Sequence, residues 1–174
     1  MKKFSLFLLL SIIISSCTEV IFRDPQPLGV KALKEIPNEL QGKFSFVILN
    51  EETVMEIGKN YISGDDGKAY LSDSVIIKKL GDRYVVNKLV TEGDAKKGNW
   101  ETYILQDKGC GFVKATTFII NSETYVEPFI AETNGTKIGQ GQEVSIIVKP
   151  TADEFNAMLA NDSITVSIIL ERVK

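Results

Sequence analysis

The chain of 174 residues contains no histidine. This absence excludes a Ser-His-Asp triad, a Cys-His nucleophile pair and any zinc site with a histidine ligand. The sequence also contains no phosphate-binding loop and no dinucleotide-binding fingerprint. Because the usual catalytic constellations are missing, we predict a protein that is not an enzyme and that uses no cofactor and no metal.

Thiols and clusters of basic residues are scarce as well. Cys17 and Cys110 are the only cysteines, and 20 Lys and Arg residues are outnumbered by 23 Asp and Glu residues. After the N-terminus the only adjacent lysines are Lys78-Lys79 and Lys96-Lys97. Nucleic-acid binding depends on clustered Lys and Arg, so we predict no nucleic-acid partner.

The N-terminal segment from Met1 to Cys17 is the most informative part of the sequence. Two lysines precede an apolar run from Phe4 to Ile14, and two serines then lead into Cys17. This order of positive charge, apolar run and small residues is typical of a secretory signal peptide. The run is shorter than the roughly 20 residues that a membrane-spanning helix needs.

The four residues Ile14-Ser15-Ser16-Cys17 resemble the lipobox of bacterial lipoproteins. The resemblance implies that residues 1–16 are removed as a signal peptide and that Cys17 becomes the lipidated first residue. Two or three acyl chains on Cys17 would make the membrane a permanent partner. Thr18, rather than Asp, after the cysteine implies sorting to the outer membrane. The sequence leaves open whether the domain faces the periplasm or the outside.

Residues 17–39 are predicted to be the lipidated N-terminus followed by a tether. Pro25, Pro27 and Gly29 fall within five residues, and they favour extended or turn conformations over a helix. A linker of this kind would hold the domain clear of the lipid headgroups.

Residues 40–174 are predicted to form one β domain. Phe44, Phe46 and Ile48 alternate with other residues, as in a strand with one apolar face. Turn signals recur about every 8–12 residues, the spacing of an antiparallel sandwich or barrel; they include Asp65-Asp66-Gly67, Gly81-Asp82 and Asp107-Lys108-Gly109. We therefore predict a mainly β fold, a single antiparallel β-barrel or strongly curved sheet, in which the segment from Thr124 to Ala131 is also a strand.

One short helix is predicted immediately before the last strand. Thr151 is its N-cap, and Glu154 stands at the capping-box position three residues later. Phe155, Met158 and Leu159 follow at helical spacing.

The two ends of this domain together resemble the lipocalin-like, or calycin, group of small β-barrels. The segment from Ile36 to Phe44 is similar to the turn and G-x-W motif at their first strand, with Phe44 in the tryptophan position. A helix then precedes a last strand that carries Arg172. The resemblance implies that Arg172 packs over the aromatic ring and that the barrel can hold one small apolar ligand.

From lipobox to last strand, the chain also resembles the small lipoproteins of Bacteroidota, a group that supplies no established activity. We predict a membrane-anchored, non-enzymatic binding or interaction module of the bacterial envelope, with a small apolar ligand or an envelope protein as partner. Two alternatives stay open: a carboxylate-dependent enzyme acting on envelope glycans, and a purely structural envelope protein.

Some short acidic motifs bear on these alternatives. The acid pairs that such an enzyme would need are Glu51-Glu52, Asp65-Asp66 and Asp153-Glu154. Two tripeptides, Asp73-Ser74-Val75 and Asp162-Ser163-Ile164, resemble Asp-Ser-aliphatic acceptor sites of O-glycosylation. The sequence alone does not decide whether either site is glycosylated.

A ligand site, if present, is predicted at the mouth or in the interior of the barrel, where strand aromatics such as Tyr84 supply apolar surface. Successive side chains of a strand point to opposite faces, so at most one of Trp100 and Tyr103 can point inward on a regular strand. The competing expectation is an interior without a cavity, filled by Phe44, Ile146, Val166 and their neighbours.

Overall fold

The computed structural model describes residues 17–48, 50–64, 67–92, 95–140 and 144–173. The predicted signal peptide and the Asp65-Asp66 pair lie outside these residues. The described strands are β1 (Thr18–Phe22), β2 (Gly42–Ile48), β3 (Glu51–Ile57), β4 (Tyr61–Gly64), β5 (Gly67–Tyr70), β6 (Val75–Leu80), β7 (Arg83–Leu89), β8 (Trp100–Gly109), β9 (Phe112–Ile120), β10 (Thr136–Ile138), β11 (Ser145–Val148) and β12 (Thr165–Arg172). The described α-helices are α1 (Glu123–Thr133) and α2 (Ala152–Leu159).

The strands form one nearly closed, barrel-like sheet, which confirms the predicted fold class. Its main path runs through antiparallel neighbours in the order β6-β7-β8-β9-β12-β2-β3-β4-β5. The segment before β2 bridges the two ends of this path. The Leu33 N–H donates to the Ile77 carbonyl in β6, and the Ile36 N–H donates to the Lys59 carbonyl beside β4, each at 2.8 Å.

The prediction of a tether over residues 17–39 is wrong, because Thr18–Phe22 within it form a strand of the sheet. β1 lies between the start of β8 and the end of β9, where Phe22 pairs with Trp100 and Thr18 pairs with Ile120. On its other edge β1 runs parallel to β11. Val20, Ile21 and Phe22 are buried, so the apolar side chains just after Cys17 stabilise the folded domain and do not belong to a linker.

The prediction of a strand from Thr124 to Ala131 is wrong, because this segment belongs to α1. Val126, Phe129 and Ile130 recur at helical spacing and pack against the outside of the sheet. The helix ends at Asn134, whose backbone is left-handed with φ 50°. The β-branched and aromatic residues of this segment favoured a strand locally, but packing one apolar side against the sheet decided for a helix.

The predicted helix before the last strand is present as α2, with its capping box. The Glu154 N–H donates to the Thr151 hydroxyl at 3.3 Å, and the Thr151 N–H donates to the Glu154 carboxylate at 2.7 Å. These bonds lower the pKa of the Glu154 carboxyl. Within the described part of the chain, no helix is long and apolar enough to cross a membrane.

Two apolar cores lie on opposite faces of β7, β8 and β9. The inner core, inside the barrel, contains Phe44, Val86 and Leu105. The outer core lies between the strands and the two helices and contains an aromatic cluster of Phe22, Phe118 and Phe155, with ring centroids 5.1–5.7 Å apart. Ile146, expected in the interior, belongs to this outer core.

The end of the barrel near Arg172 is closed by a short turn of 3₁₀-helix at Asn38–Leu40. Leu40 is fully buried in the inner core. The Tyr84 hydroxyl donates to the Glu39 carboxylate at 2.5 Å, and this bond raises the pKa of Tyr84 to about 12. Above this turn the Arg172 guanidinium carbon lies 4.8 Å from the centroid of the Phe44 ring, as the resemblance implied.

Candidate functional site

An apolar cavity of ≈ 80 Å³ remains inside the barrel and is partly open to solvent. It lies toward the end of the barrel opposite the 3₁₀ turn, against the inner core. Its lining residues are Phe46, Ile48, Met55, Ile62, Val86, Tyr103, Leu105, Ala115, Ile168 and Leu170. The sequence left two expectations for the interior, a filled core and a ligand-sized space. The structure has a mostly filled core with a small residual space.

The cavity lies where two neighbouring strands diverge. Among the described residues, the ladder between β12 and β2 consists of Glu171 opposite Ser45 and Arg172 opposite Phe44. Beyond these pairs β2 continues with β3 and β12 continues with β9. The side chains of Phe46 on β2 and Ile168 on β12 line the cavity at this divergence. The wall of the barrel therefore has few ladder pairs between these two strands beside the cavity.

The alternation of β8 decides which aromatic side chains reach the interior. Trp100 and Ile104 belong to the outer core, whereas Tyr103 and Leu105 lie on the inner face and line the cavity. The prediction that Trp100 and Tyr103 cannot both point inward is confirmed. Tyr84 is also on the inner face, in the core below the cavity.

A cluster of charged residues adjoins the cavity at Tyr103. The Tyr103 hydroxyl donates to the Glu101 carboxylate at 3.1 Å, and the Lys88 ammonium lies 3.5 Å from the same carboxylate oxygen. Burial raises the pKa of the Glu101 carboxyl, while the charge of Lys88 opposes this shift. Burial also raises the pKa of Tyr103, so the phenol keeps its proton. Sequence reasoning missed this cluster because its acids are not adjacent in the chain.

The same cluster reaches β1 and thus the segment that begins at Cys17. The Lys96 ammonium contacts the Glu19 carboxylate at 2.6 Å. The negative charge of Glu19 contributes to the raised pKa of both Glu101 and Tyr103. Glu19 is the second residue after Cys17, so the cavity and the predicted lipidation site lie at the same end of the domain.

Cys17 itself is half-buried at the start of β1. Its thiol donates to the Asn121 side-chain carbonyl at 3.1 Å, and burial raises the pKa of the thiol. Nothing in these contacts tests lipidation, which stays a prediction. Cys110, the other cysteine, is exposed in the turn between β8 and β9, where its backbone has φ 53°.

A second pocket, of ≈ 100 Å³, lies between the two helices. Phe129 and Glu132 line it from α1, and Ala157 and Met158 line it from α2. The pocket is somewhat larger than the barrel cavity, and its lining mixes side chains of the outer core with exposed polar groups. We place the candidate site in the barrel because the wall of that cavity is almost wholly apolar and adjoins the hydrogen-bonded Tyr103 and Glu101 at one end.

The two acid pairs that fall within the described residues do not lie at this cavity. Glu51-Glu52 is exposed at the start of β3, and Asp153-Glu154 is exposed at the start of α2, where Glu154 caps the helix. Across the residues that the structure describes, no group of three Cys, Asp or Glu side chains is placed to hold a metal ion. Of the two serines in the glycosylation-like tripeptides, Ser163 is exposed and Ser74 is half-buried.

Comparison of the chain with protein-family profiles, with curated proteins and with solved structures gave no match. The function is therefore argued from the geometry of the site.

Proposed function

We propose that this protein is a lipid-anchored binding module of the bacterial envelope, non-enzymatic, that holds a small apolar ligand in its barrel. The observation that carries the proposal is the apolar cavity beside the diverging strands β2 and β12. Ligand pockets are usually apolar with a few polar groups that orient the ligand. The cavity, with Tyr103 and Glu101 at one end, fits this description.

The proposed anchor is lipid on Cys17. Because β1 begins at Thr18, a lipid on the preceding residue would hold the domain directly at the membrane surface, without a linker. Each buried methylene of an acyl chain contributes about 0.8 kcal/mol to membrane binding. Two or three chains would keep the cavity end of the domain beside the bilayer, which for a Cys-Thr N-terminus would be the outer membrane.

The anchor is tested by Cys17→Ser in the full-length chain, with Cys110→Ser as the matched control. We expect the first variant to remain unprocessed or to leave the membrane fraction. The second removes an exposed thiol in a turn, so it should fractionate like the wild type. Mass spectrometry of the N-terminus gives the acyl mass directly. A Cys17→Ser protein found in membranes at the mature mass would contradict the anchor.

The ligand site is tested by two neighbouring residues of β12. Ile168 lines the cavity, whereas Ile169 points outward and is 53% exposed. Ile168→Trp should fill the cavity, and Ile169→Trp should add the same side chain outside the barrel. Native mass spectrometry of each protein, extracted from its own membrane, measures the retained ligand.

We expect a retained small molecule in the wild type and in Ile169→Trp, and its loss in Ile168→Trp. Thermal unfolding checks that both variants are folded. If a ligand is retained equally in both variants, the barrel is not its site. The binding proposal fails if two results are obtained together. The wild type retains no small molecule besides its lipid anchor, and it binds added apolar compounds no more tightly than folded Ile168→Trp does. Hydrolysis of envelope glycans that is lost on substitution of a single Asp or Glu would favour the enzyme alternative instead.

A further inference from the structure

The wall of the barrel has a seam, which we define as the gap between β2 and β12 beyond the pair of Ser45 and Glu171. The register of this ladder would next place Val47 of β2 opposite Ile169 of β12. Among the described residues that pair is not formed, although both strands continue past it. The seam is therefore bordered by two strand edges with no ladder between them.

The backbone of β12 presents hydrogen-bonding groups to the seam. The Arg172 N–H donates to the Gly111 carbonyl, and the Ile164 carbonyl accepts from the Ile119 N–H, each at 2.8 Å on the β9 side. Alternate residues of an antiparallel strand direct their backbone hydrogen bonds to the same neighbour. The residues of odd number between Ile164 and Arg172 therefore direct their N–H and C=O groups to the other edge, and Ile169 faces the seam.

The facing edge of β2 follows from the closed end of the ladder. The Val173 N–H donates to the Lys43 carbonyl at 2.9 Å. By the same alternation Lys43, Ser45 and Val47 are the residues of β2 whose backbone groups point toward β12. An edge of this kind, with donors and acceptors that no ladder uses, is a template for pairing with a further strand.

The side chains beside and beneath the seam are apolar. Val47 is 66% exposed and Ile169 is 53% exposed, one on each side of the seam. Beneath the seam Phe46 and Ile168 line the cavity. Successive side chains of an added strand would point outward between Val47 and Ile169 and inward over the cavity. The cavity of ≈ 80 Å³ suits a short branched side chain rather than a long one.

Exposed apolar side chains are concentrated around this seam. Val47, Val54, Phe112 and Ile169 are four of the five large apolar residues that the described surface exposes, and they lie on the consecutive strands β9, β12, β2 and β3. Phe112 pairs with Glu171, and Val54 pairs with Ser45, at the closed end of the seam. A contiguous exposed apolar surface marks an interaction site.

We infer that the seam binds an extended, uncharged segment of another protein, rich in short branched side chains, as a strand added between β2 and β12. Strand addition of this kind draws its affinity from backbone hydrogen bonds and its specificity from alternate side chains. Because β2 and β12 are antiparallel, the added strand runs parallel to one of them. We place it antiparallel to β12, since antiparallel pairs are slightly more stable. This inference goes beyond the proposed small-ligand function, and such a segment would compete with a small ligand for the cavity.

The probe is the peptide acetyl-Lys-Val-Thr-Val-Thr-Val-Lys-amide, with a fluorophore on its first lysine. Its control has the same side chains, but every valine and threonine nitrogen is methylated, so the donors for strand pairing are lost. The full chain is produced with its own N-terminal segment and reconstituted in lipid nanodiscs. Fluorescence anisotropy measures binding, and empty nanodiscs give the partitioning into lipid. We expect the methylated peptide to bind at least about tenfold more weakly, because it cannot donate several backbone hydrogen bonds.

Hydrogen exchange of single amides locates the added strand. The Ile168 N–H lies on the β9 side of β12, whereas the Ile169 N–H faces the seam, so neighbouring residues serve as probe and control. Without peptide we expect the Ile169 amide to exchange much faster than that of Ile168. Saturating peptide should slow exchange at Ile169 by a factor about tenfold larger than at Ile168, because only the seam gains a partner.

Two substitutions separate the backbone from the side chain. Ile169→Ala keeps the seam-facing N–H, whereas Ile169→Pro removes it, and proline is tolerated at strand edges where no ladder bond is lost. We expect Ile169→Pro to bind the peptide at least about tenfold more weakly than Ile169→Ala does. Thermal unfolding shows whether both variants are folded. If Ile169→Pro is not folded, the comparison of the two peptides in the wild type decides.

Three results would overturn the inference. Equal binding of the two peptides would mean apolar contact without strand addition. No binding of the unmethylated peptide would mean that the seam does not accept a strand. Slow exchange at Ile169 without peptide would mean that the seam is closed or filled by a second copy. Each of these leaves the small-ligand function standing, because that function is tested separately by ligand retention in Ile168→Trp.

Discussion

The backbone of Gly42 lies directly against the guanidinium group of Arg172, so that a Cβ at Gly42 would overlap the Nη1 atom. Gly42 has φ +148°, a backbone conformation that residues with a side chain rarely adopt. The absence of a side chain at the start of β2 therefore allows the last strand to place Arg172 over Phe44.

The first prediction concerns Gly42→Ala, with Gly67→Ala as control. Both glycines have positive φ, but a Cβ at Gly67 meets no atom within 4 Å. Gly67→Ala therefore carries only backbone strain, about 1–3 kcal/mol. Gly42→Ala adds displacement of Arg172, so we expect a larger loss in the free energy of unfolding, measured in urea. Equal losses would show that the contact with Arg172 contributes nothing.

The second prediction concerns Arg172→Ala. The guanidinium donates to the backbone carbonyls of Gln41 and Glu39, the latter at 2.9 Å, besides covering the Phe44 ring. An exposed cation–π contact is worth about 0.5–1 kcal/mol, and we expect a total loss of about 1–3 kcal/mol once the charged hydrogen bonds are included. Arg172→Lys keeps the charge but not the planar guanidinium group. Its free energy of unfolding should therefore lie between those of the wild type and Arg172→Ala.

Arg23→Ala is the control for this series, since Arg23 is exposed and exposed substitutions usually change stability by less than about 0.5 kcal/mol. Chemical unfolding of the three variants gives the comparison. If Arg172→Ala is no less stable than Arg23→Ala, Arg172 does not hold the last strand to the barrel.

The third prediction concerns the N-caps of the two helices. Thr151→Ala removes the side-chain acceptor of the α2 capping box, which should cost about 1 kcal/mol. Ser122 is the N-cap of α1, but its side chain makes no capping hydrogen bond, so Ser122→Ala should cost markedly less. Thermal unfolding of both variants at neutral pH measures the two losses of stability. A larger loss for Ser122→Ala than for Thr151→Ala would contradict the assignment of the capping box.

The fourth prediction concerns pH and Glu101. Burial raises the pKa of this carboxyl in the folded protein above 4.5, and the negative charge of Glu19 adds to the shift. The charge of Lys88 and the hydrogen bond from Tyr103 oppose it. Because the folded protein holds this proton more tightly than the unfolded chain, the contribution of Glu101 to stability is greatest below pH 4.5 and decreases as pH rises through the folded pKa. The amide side chain of Glu101→Gln cannot ionise, so the stability of this variant does not include that decrease with pH.

We therefore expect the free energy of unfolding of the wild type, minus that of Glu101→Gln, to fall between pH 4 and pH 8. Urea unfolding at several pH values measures this difference. A rise over the same range would mean that the pairing with Lys88 outweighs the cost of burial. Glu171→Gln, measured in parallel, should show no comparable trend, since Glu171 is exposed.

Local sequence patterns were sufficient where neighbours in the chain determine the structure. Thr151 and Glu154 complete a capping box within one helical turn, and the alternation of β8 separates Trp100 from Tyr103 by strand geometry alone. The packing of Arg172 over the Phe44 ring was predicted from the resemblance of the two ends of the domain to lipocalin-like barrels.

Patterns of this kind failed for β1 and α1. Pro25 and Pro27 indicated an extended segment, but they could not indicate that Thr18–Phe22 pairs with Ser145–Val148 at the far end of the chain. The residues around Val126 favour strands individually, and only the apolar surface of the sheet made a helix the better way to bury them. The intrinsic secondary-structure propensity of a segment predicts its structure only weakly when the segment packs against the rest of the fold.

The sequence by itself determined that the chain folds as a mainly β domain with a helix before its last strand, because turn signals and alternating apolar residues are local properties. Only the tertiary structure decided that β12 and β2 pair at Glu171 and Arg172 and diverge along the part of β12 that precedes them. It also decided that Glu19, Glu101 and Lys88 meet near the end of the resulting cavity. The physical reason is that a cavity and a charge cluster arise from residues distant in the chain, whose distances are set by how the strands pair and not by their own sequence.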